Sequence, residues 1–260
     1  MKLLFLGDIV GEPGRRAVRM LLEDLVEREG IDFVVANGEN SAGGNGITAG
    51  IASELFGYGV DIITTGDHVW DQKETASFLT TESRVLRPAN YPPGVPGSGV
   101  IVWNKPGLPP VAVLNLQART FMPSLENPFL LAQSEVARLR TATRIILVDF
   151  HGEATSEKIA MGRMLDGSVS AVIGTHTHVQ TADEQVFPGG TAYLTDAGFT
   201  GPHDSVLGRQ IEPVLKRFQT GLPQRFEVAN GQVRLQGALV DIDPATGRAK
   251  SIRRISELLD

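Results

Sequence analysis

Leu3-Leu4-Phe5-Leu6-Gly7-Asp8 is an apolar run that stops on a glycine and a carboxylate. Pro13-Gly14 then opens a segment in which Val18, Leu21, Leu22, Leu25 and Val26 recur at helical spacing. A buried strand followed by an amphipathic helix is the repeating unit of an α/β sheet. The unit recurs twice more. Residues 33–36 form the next apolar strand; after a glycine-rich loop, Thr48 caps a helix running to about Phe56 and closed by Gly57 and Gly59. Residues 61–65 supply a third strand, with a helix expected over roughly 72–79. This βαβαβα rhythm predicts a largely parallel sheet with helices on its faces.

Between Arg87 and Pro123 the rhythm changes. Residues 100–103 and 111–116 are β-rich, separated by prolines and glycines, which predicts a second, partly antiparallel sheet. Helix and strand resume at 128–140, 145–150, 156–165 and 171–174. Near the end, 225–228 and 233–242 flank Asn230-Gly231, a strong short-range hairpin signal. There is no internal repeat or low-complexity tract, so one domain over residues 1–260 is expected.

Composition sets the outer limits. The 260 residues are 42% hydrophobic and 21% charged, with a formal net charge of −6. That is enough chain to bury a sizeable core without a stapling disulfide or structural metal. There is no cysteine, which excludes a disulfide scaffold, a thiolate metal site and a thiol nucleophile. The acidic balance argues against broad nucleic-acid binding. The apolar run at the start is too short for a signal-peptide core, and no stretch approaches membrane-spanning length. The expectation is a soluble, cytoplasmic protein acting on a small molecule.

The five histidines are unevenly placed. His68, His151, His176 and His178 fall just beyond expected strands, and so do Asp8, Glu39, Asn40 and Asp67. Five strands thus deliver titratable or metal-competent groups at their C-terminal ends, the edge where open α/β sheets bind ligands. Carboxylates and neutral imidazoles suit iron, manganese, zinc or cobalt. Asp8, Glu39, Asn40, Asp67, His151, His176 and His178 are too many for one tetrahedral ion and suit two, with a carboxylate between them. An extended His176-Thr177-His178 would put both rings on one face. Three carboxylates against two divalent cations leave about one positive charge, which favours a phosphate oxyanion.

At these residues the sequence resembles the calcineurin-like metallophosphoesterases, and more closely their YmdB-type branch. The matching blocks are Gly7-Asp8-Ile9-Val10-Gly11, Asn37-Gly38-Glu39-Asn40, Gly66-Asp67-His68-Val69-Trp70-Asp71, Asp149-Phe150-His151-Gly152-Glu153 and Gly174-Thr175-His176-Thr177-His178-Val179-Gln180-Thr181, in family order. The resemblance implies a four-layer α/β/β/α sandwich of two mixed sheets flanked by helices. It implies that Asp8, Glu39, Asn40 and His178 hold one ion. Glu39 would bridge to a second, completed by Asp67, His151 and His176. The two ions would be divalent or mixed-valence, iron or manganese before zinc or cobalt. The implied activity is hydrolysis of 2′,3′-cyclic nucleotides to 3′-monophosphates, by in-line attack of a metal-bridging hydroxide with His68 as general acid.

Two departures from the broad pattern stand out. The first block has Asp8-Ile9-Val10 where Asp-x-His is usual, and Asn40 is the implied substitute. The third has Gly66-Asp67-His68 in place of Gly-Asn-His, which implies tighter metal binding and weaker Lewis acidity. Elsewhere the plainer assignments are preferred. Gly43-Gly44-Asn45-Gly46 is a loop rimming the site, His203 a surface residue, and Trp70 and Trp103 core packing. Arg15 and Arg16 are placed on a solvated helix face. Two alternatives stay open: a metal-binding regulatory protein with little catalysis, and a phosphomonoesterase on the same fold. A homo-oligomer is expected, as is common for sheet-rich enzymes of this size.

Overall fold

Along the first strand, Leu4 and Leu6 pack to one side and Leu3 and Phe5 to the other, and all four are fully buried. This period of two, without a polar face, is the mark of a strand covered on both sides. The chain, a computed structural model described over residues 1–259, repeats that pattern in two stacked sheets.

The elements in order are β1 (Lys2–Leu6), β2 (Asp8–Ile9), α1 (Gly11–Glu29), β3 (Phe33–Asn37), α2 (Ala49–Gly57), β4 (Ile62–Thr64), α3 (Thr75–Phe78), β5 (Val85–Leu86), β6 (Val100–Trp103) and β7 (Val111–Gln117). There follow α4 (Pro128–Leu139), β8 (Ile145–His151), α5 (Thr155–Met164), β9 (Ala171–Thr175), β10 (Gln185–Val186), β11 (Ala192–Leu194), β12 (Phe199–Asp204), α6 (Ile211–Thr220), β13 (Gly231–Ile242) and β14 (Ala249–Leu258). The first sheet runs β2-β12-β13-β1-β3-β4-β5, with β14 along the other edge of β13; the second runs β10-β11-β9-β8-β7-β6. In the second sheet β7, β8, β9 and β11 are parallel, and the antiparallel pairs lie at its two edges.

Three apolar cores separate four layers. Ala17, Val18, Leu22 and Leu25 of α1 meet Leu4, Leu6, Val34 and Ala36 on one face of the first sheet. Leu3, Phe5, Phe33 and Val35 meet Val113, Leu147 and Ile173 between the sheets. Ala132 and Val136 of α4 and Met161 of α5 cover the far face of the second sheet. Each fully buried Phe or Leu here contributes about 1.5–3 kcal/mol. The expected α/β/β/α sandwich is therefore observed. No helix among the described residues is long and apolar enough to cross a membrane.

Local readings are corrected in two places. The helix expected over 72–79 shrinks to Thr75–Phe78. The Gln72 side chain donates to the Asn45 carbonyl and the Glu74 carboxylate accepts from Ala49 N, so both are spent on the neighbouring loop. Asn230-Gly231 does not turn a hairpin. Val228 makes only a bridge to Arg209, while Gly231 already belongs to β13, which is recruited by β12, β1 and β14. The hairpin lies instead at the β13–β14 turn. There Asp243 accepts from Ala245 N and Thr246 Oγ1, and Gly247 takes a positive φ of 76°.

Candidate metal centre

The C-terminal ends of β1, β3 and β4 in one sheet face those of β8 and β9 in the other, and the polar strand-end residues meet there. Ligand-competent atoms of Glu39, Asp67, His151 and His176 all lie within 4.8 Å of one another. His151 Nε2 is 3.2 Å from Glu39 Oε1 and 3.1 Å from Asp67 Oδ1; His176 Nδ1 is 3.4 Å from the same Asp67 oxygen. Asp8 flanks this cluster, with Oδ1 3.9 Å from His151 Nδ1 and Oδ2 accepting from His176 N. Asn40 and His178 form an adjoining pair, Oδ1 to Nε2 at 3.2 Å. All seven strand-end donors named from the sequence come to one end of the sandwich.

His176 and His178 do not lie on an extended segment. Both take left-handed backbone, φ 98° and 60°, a conformation costing about 1–3 kcal/mol at a residue with a Cβ. The turn is held by Asp196, whose Oδ2 accepts from Thr177 N at 3.1 Å and from Lys158 Nζ at 2.7 Å. The two rings consequently face different neighbours: His176 looks to Asp67 and His151, His178 to Asn40.

A second set of residues orients the first. His151 Nδ1 contacts Thr175 Oγ1 at 2.9 Å, and Thr175 Oγ1 donates to Asp149 Oδ1 at 2.7 Å. Thr64 Oγ1 and Asn37 Nδ2 donate to the other Asp149 oxygen. This fixes His151 with Nε2 turned towards the carboxylates. Burial pushes Asp149 up to about 6. His68 sits at the rim. Its Nδ1 is 2.8 Å from Asp71 Oδ2 and its backbone N–H donates to Glu39 Oε2.

The electrostatics follow from burial and crowding. Burial pushes the Asp8 carboxyl up to about 7. Against burial, the charge of His151 holds Glu39 below its ordinary value, and hydrogen bonds from His151 and His176 hold Asp67 well below. Burial opposes a charge on His151, yet Glu39, Asp67 and Asp8 push it well above the ordinary histidine value. His68 is likewise raised against burial, by the charges of Glu39 and Asp67 and its bond to Asp71. Burial moves His178 the other way, towards the neutral ring.

Three observations show that the donors fit metal ions. Asp8 Oδ1 is fully buried without a hydrogen-bond partner. His178 donates from Nδ1 to the Leu207 carbonyl at 3.1 Å, so the Nε2 of its neutral ring is an acceptor. Asn40 turns its amide nitrogen to the Gly44 carbonyl and its oxygen to that same Nε2. Two acceptors facing each other are stabilised by a cation between them. Finally, a Cβ on Gly66 would collide with His151 and the Glu39 carboxylate, so the backbone here leaves the donors their room.

Other residues at the site were not singled out from the sequence. Glu153 Oε2 lies 3.2 Å from His176 Nε2. Arg209 lines the cleft and donates to the Gly43 and Gly44 carbonyls and to Asn45 Oδ1, pinning the glycine loop that rims the site. Asp149 carried a signal, an acid inside an apolar strand; the distant Arg209 and Lys158 carried none. His203 is not a free surface residue. Its ring stacks on Phe199 at 4.2 Å, which in turn stacks on His178 at 5.3 Å. Arg15 is no solvated helix residue either, since it donates to the Ser41 carbonyl and pairs with Glu54. Trp70 packs edge-on against Tyr91 beside the α1 core, and Trp103 lies against the inter-sheet core.

Two stacked sheets with helices outside, and carboxylates and imidazoles gathered at their strand ends, define a calcineurin-like fold with a candidate metal centre at one end. A calcineurin-like phosphoesterase, YfkN from Bacillus subtilis, superposes with a TM-score of 0.61 at 12% identity, covering 99% of this chain and 90% of that one. The chain belongs to the YmdB-like protein family, whose model matches residues 4–255. It is 49% identical over 255 residues to the 2′,3′-cyclic-nucleotide 2′-phosphodiesterase of Bacillus subtilis (strain 168), covering 98% of this chain and 96% of that protein. It also superposes on the crystal structure of a novel phosphatase from Mycoplasma pneumoniae with a TM-score of 0.93. That pair is 32% identical, over 100% of this chain and 94% of the other.

Proposed function

We propose that the protein is a phosphodiesterase carrying two metal ions, which opens 2′,3′-cyclic nucleotides at the 2′ bond and leaves the 3′-monophosphate. The observation that carries this reading is the convergence of Glu39, Asp67, His151 and His176 within 4.8 Å beside the His178–Asn40 pair. The near full-length match to the Bacillus subtilis enzyme supports the substrate class.

Asp8, Glu39, Asn40 and His178 hold one cation in this reading. Asp67, His151 and His176 hold the other, with Glu39 shared. Oxygen donors with imidazoles suit iron or manganese first, zinc or cobalt next. When bound, such ions supply Lewis acidity at the phosphoryl oxygens and lower the pKa of water towards neutrality.

The chain's own residues do the rest. The Asp71 carboxylate accepts a hydrogen bond from His68 Nδ1–H and orients the imidazole, leaving Nε2 to carry the second proton. Against burial, the charges of Glu39 and Asp67 and the bond to Asp71 favour the protonated ring. As water adds to phosphorus and the bond to the ribose 2′ oxygen breaks, His68 Nε2 protonates the departing oxygen, which would otherwise leave as a strongly basic alkoxide.

His68→Ala is expected to keep its metals and lose about 10²–10⁴ in kcat, the usual worth of a general acid. Turnover of 2′,3′-cyclic AMP alongside metal analysis checks this. Unchanged turnover removes His68 from the role.

A further inference from the structure

Beside the metal cleft lies a second hollow of about 420 Å³, walled by Val206, Leu207, Val214, Phe218 and Phe226 with Arg209 at its edge. The two concavities adjoin, since Leu207 and Arg209 line both. The shared wall is fixed in place. Leu207 takes a left-handed φ of 52°, and its carbonyl accepts from His178 Nδ1. The Arg209 guanidinium donates to the loop carbonyls of Gly43 and Gly44 and, at 3.5 Å, to the Phe226 carbonyl. Among the described residues no carboxylate pairs with it. Three of the apolar side chains lining the hollow are left open: Phe218 is 83% exposed, Leu207 48% and Phe226 37%.

A planar guanidinium beside aromatic and aliphatic faces, next to an anion site, matches the chemistry of a nucleobase and its phosphate. Bases stack on aromatic rings and on arginine planes, and do so with little regard to sequence. The volume lies within the range of small-ligand pockets, about 300–1,000 Å³.

We propose that this hollow is the base subsite: the base of the nucleotide lies against Phe226, Leu207 and the Arg209 plane while its phosphate occupies the metal cleft. The inference rests on the function proposed above, but binding tests it without turnover. The experiment titrates adenosine 3′-monophosphate and the base-free ribose 3-phosphate into the metal-loaded protein by calorimetry. Wild type is expected to bind the nucleotide about tenfold tighter or more, the worth of one base stack. Phe226→Ala and Phe218→Ser are each expected to shrink that ratio several-fold. Phe218 is nearly free of the core, so its variant keeps the test valid if the other fails to fold. Equal affinities in wild type, or an unchanged ratio in both variants, overturn the subsite. An unchanged ratio with a shift in sedimentation overturns it in favour of contact between copies. A retained base preference without hydrolysis of cyclic nucleotide overturns the proposed activity and leaves the subsite standing.

Discussion

Glu39→Ala is expected to lower kcat/KM for 2′,3′-cyclic AMP by about 10³-fold or more and to strip metal from the protein. Glu39 is fully buried at the centre of the cluster, with one oxygen 3.2 Å from His151 Nε2 and the other accepting from His68 N. In the proposed arrangement it alone touches both cations, so its loss weakens both. Metal-based charge stabilisation is worth several kcal/mol, and each 1.36 kcal/mol is a decade in rate. Its removal also takes away the charge that helps keep His68 protonated. Metal analysis and steady-state kinetics on folded protein check the result. Full metal content with turnover within tenfold of wild type contradicts it.

Lys158→Met is expected to cost about 3–5 kcal/mol of stability, because it leaves the Asp196 carboxylate buried without its counter-charge. Lys158 Nζ and Asp196 Oδ2 are 2.7 Å apart, and their side chains are 1% and 0% exposed. Asp196 also anchors the strained histidine turn through Thr177 N and accepts from Gly198 N. The same variant should therefore bind metal about 10–100-fold more weakly, the effect seen when a ligand's outer support is lost. Adding Asp196→Asn, which keeps an acceptor and removes the charge, should recover most of the stability. Denaturant midpoints of the single and double variants decide this; a single variant within about 1 kcal/mol of wild type contradicts it.

Much of the fold was legible because burial on both faces writes continuous apolar runs, as at β1, β3, β8 and β9. The strand-end donors were legible for the related reason that a polar group ending such a run has few uses in a core. What failed was decided by distant partners. β14 carries Ile252, Ile255 and Leu258 three residues apart, a helical spacing, yet it pairs with β13 from Arg234 to Ile242. Asn230-Gly231 held a local hairpin signal that three other strands outvoted. The His176–His178 geometry depended on Lys158 and Asp196, which lie on other elements. Arg209 reaches the site from a loop more than 160 residues beyond the carbonyl it pins at Gly44.

The central claim is that two cations at the end of this sandwich open a cyclic phosphodiester. The most direct test is elemental metal analysis of the purified protein, paired with ³¹P NMR of 2′,3′-cyclic AMP incubated with it. About two metal ions per chain and accumulation of adenosine 3′-monophosphate are the predicted result. One ion or none per chain, or a cyclic phosphate signal that persists with both ions bound, contradicts the account.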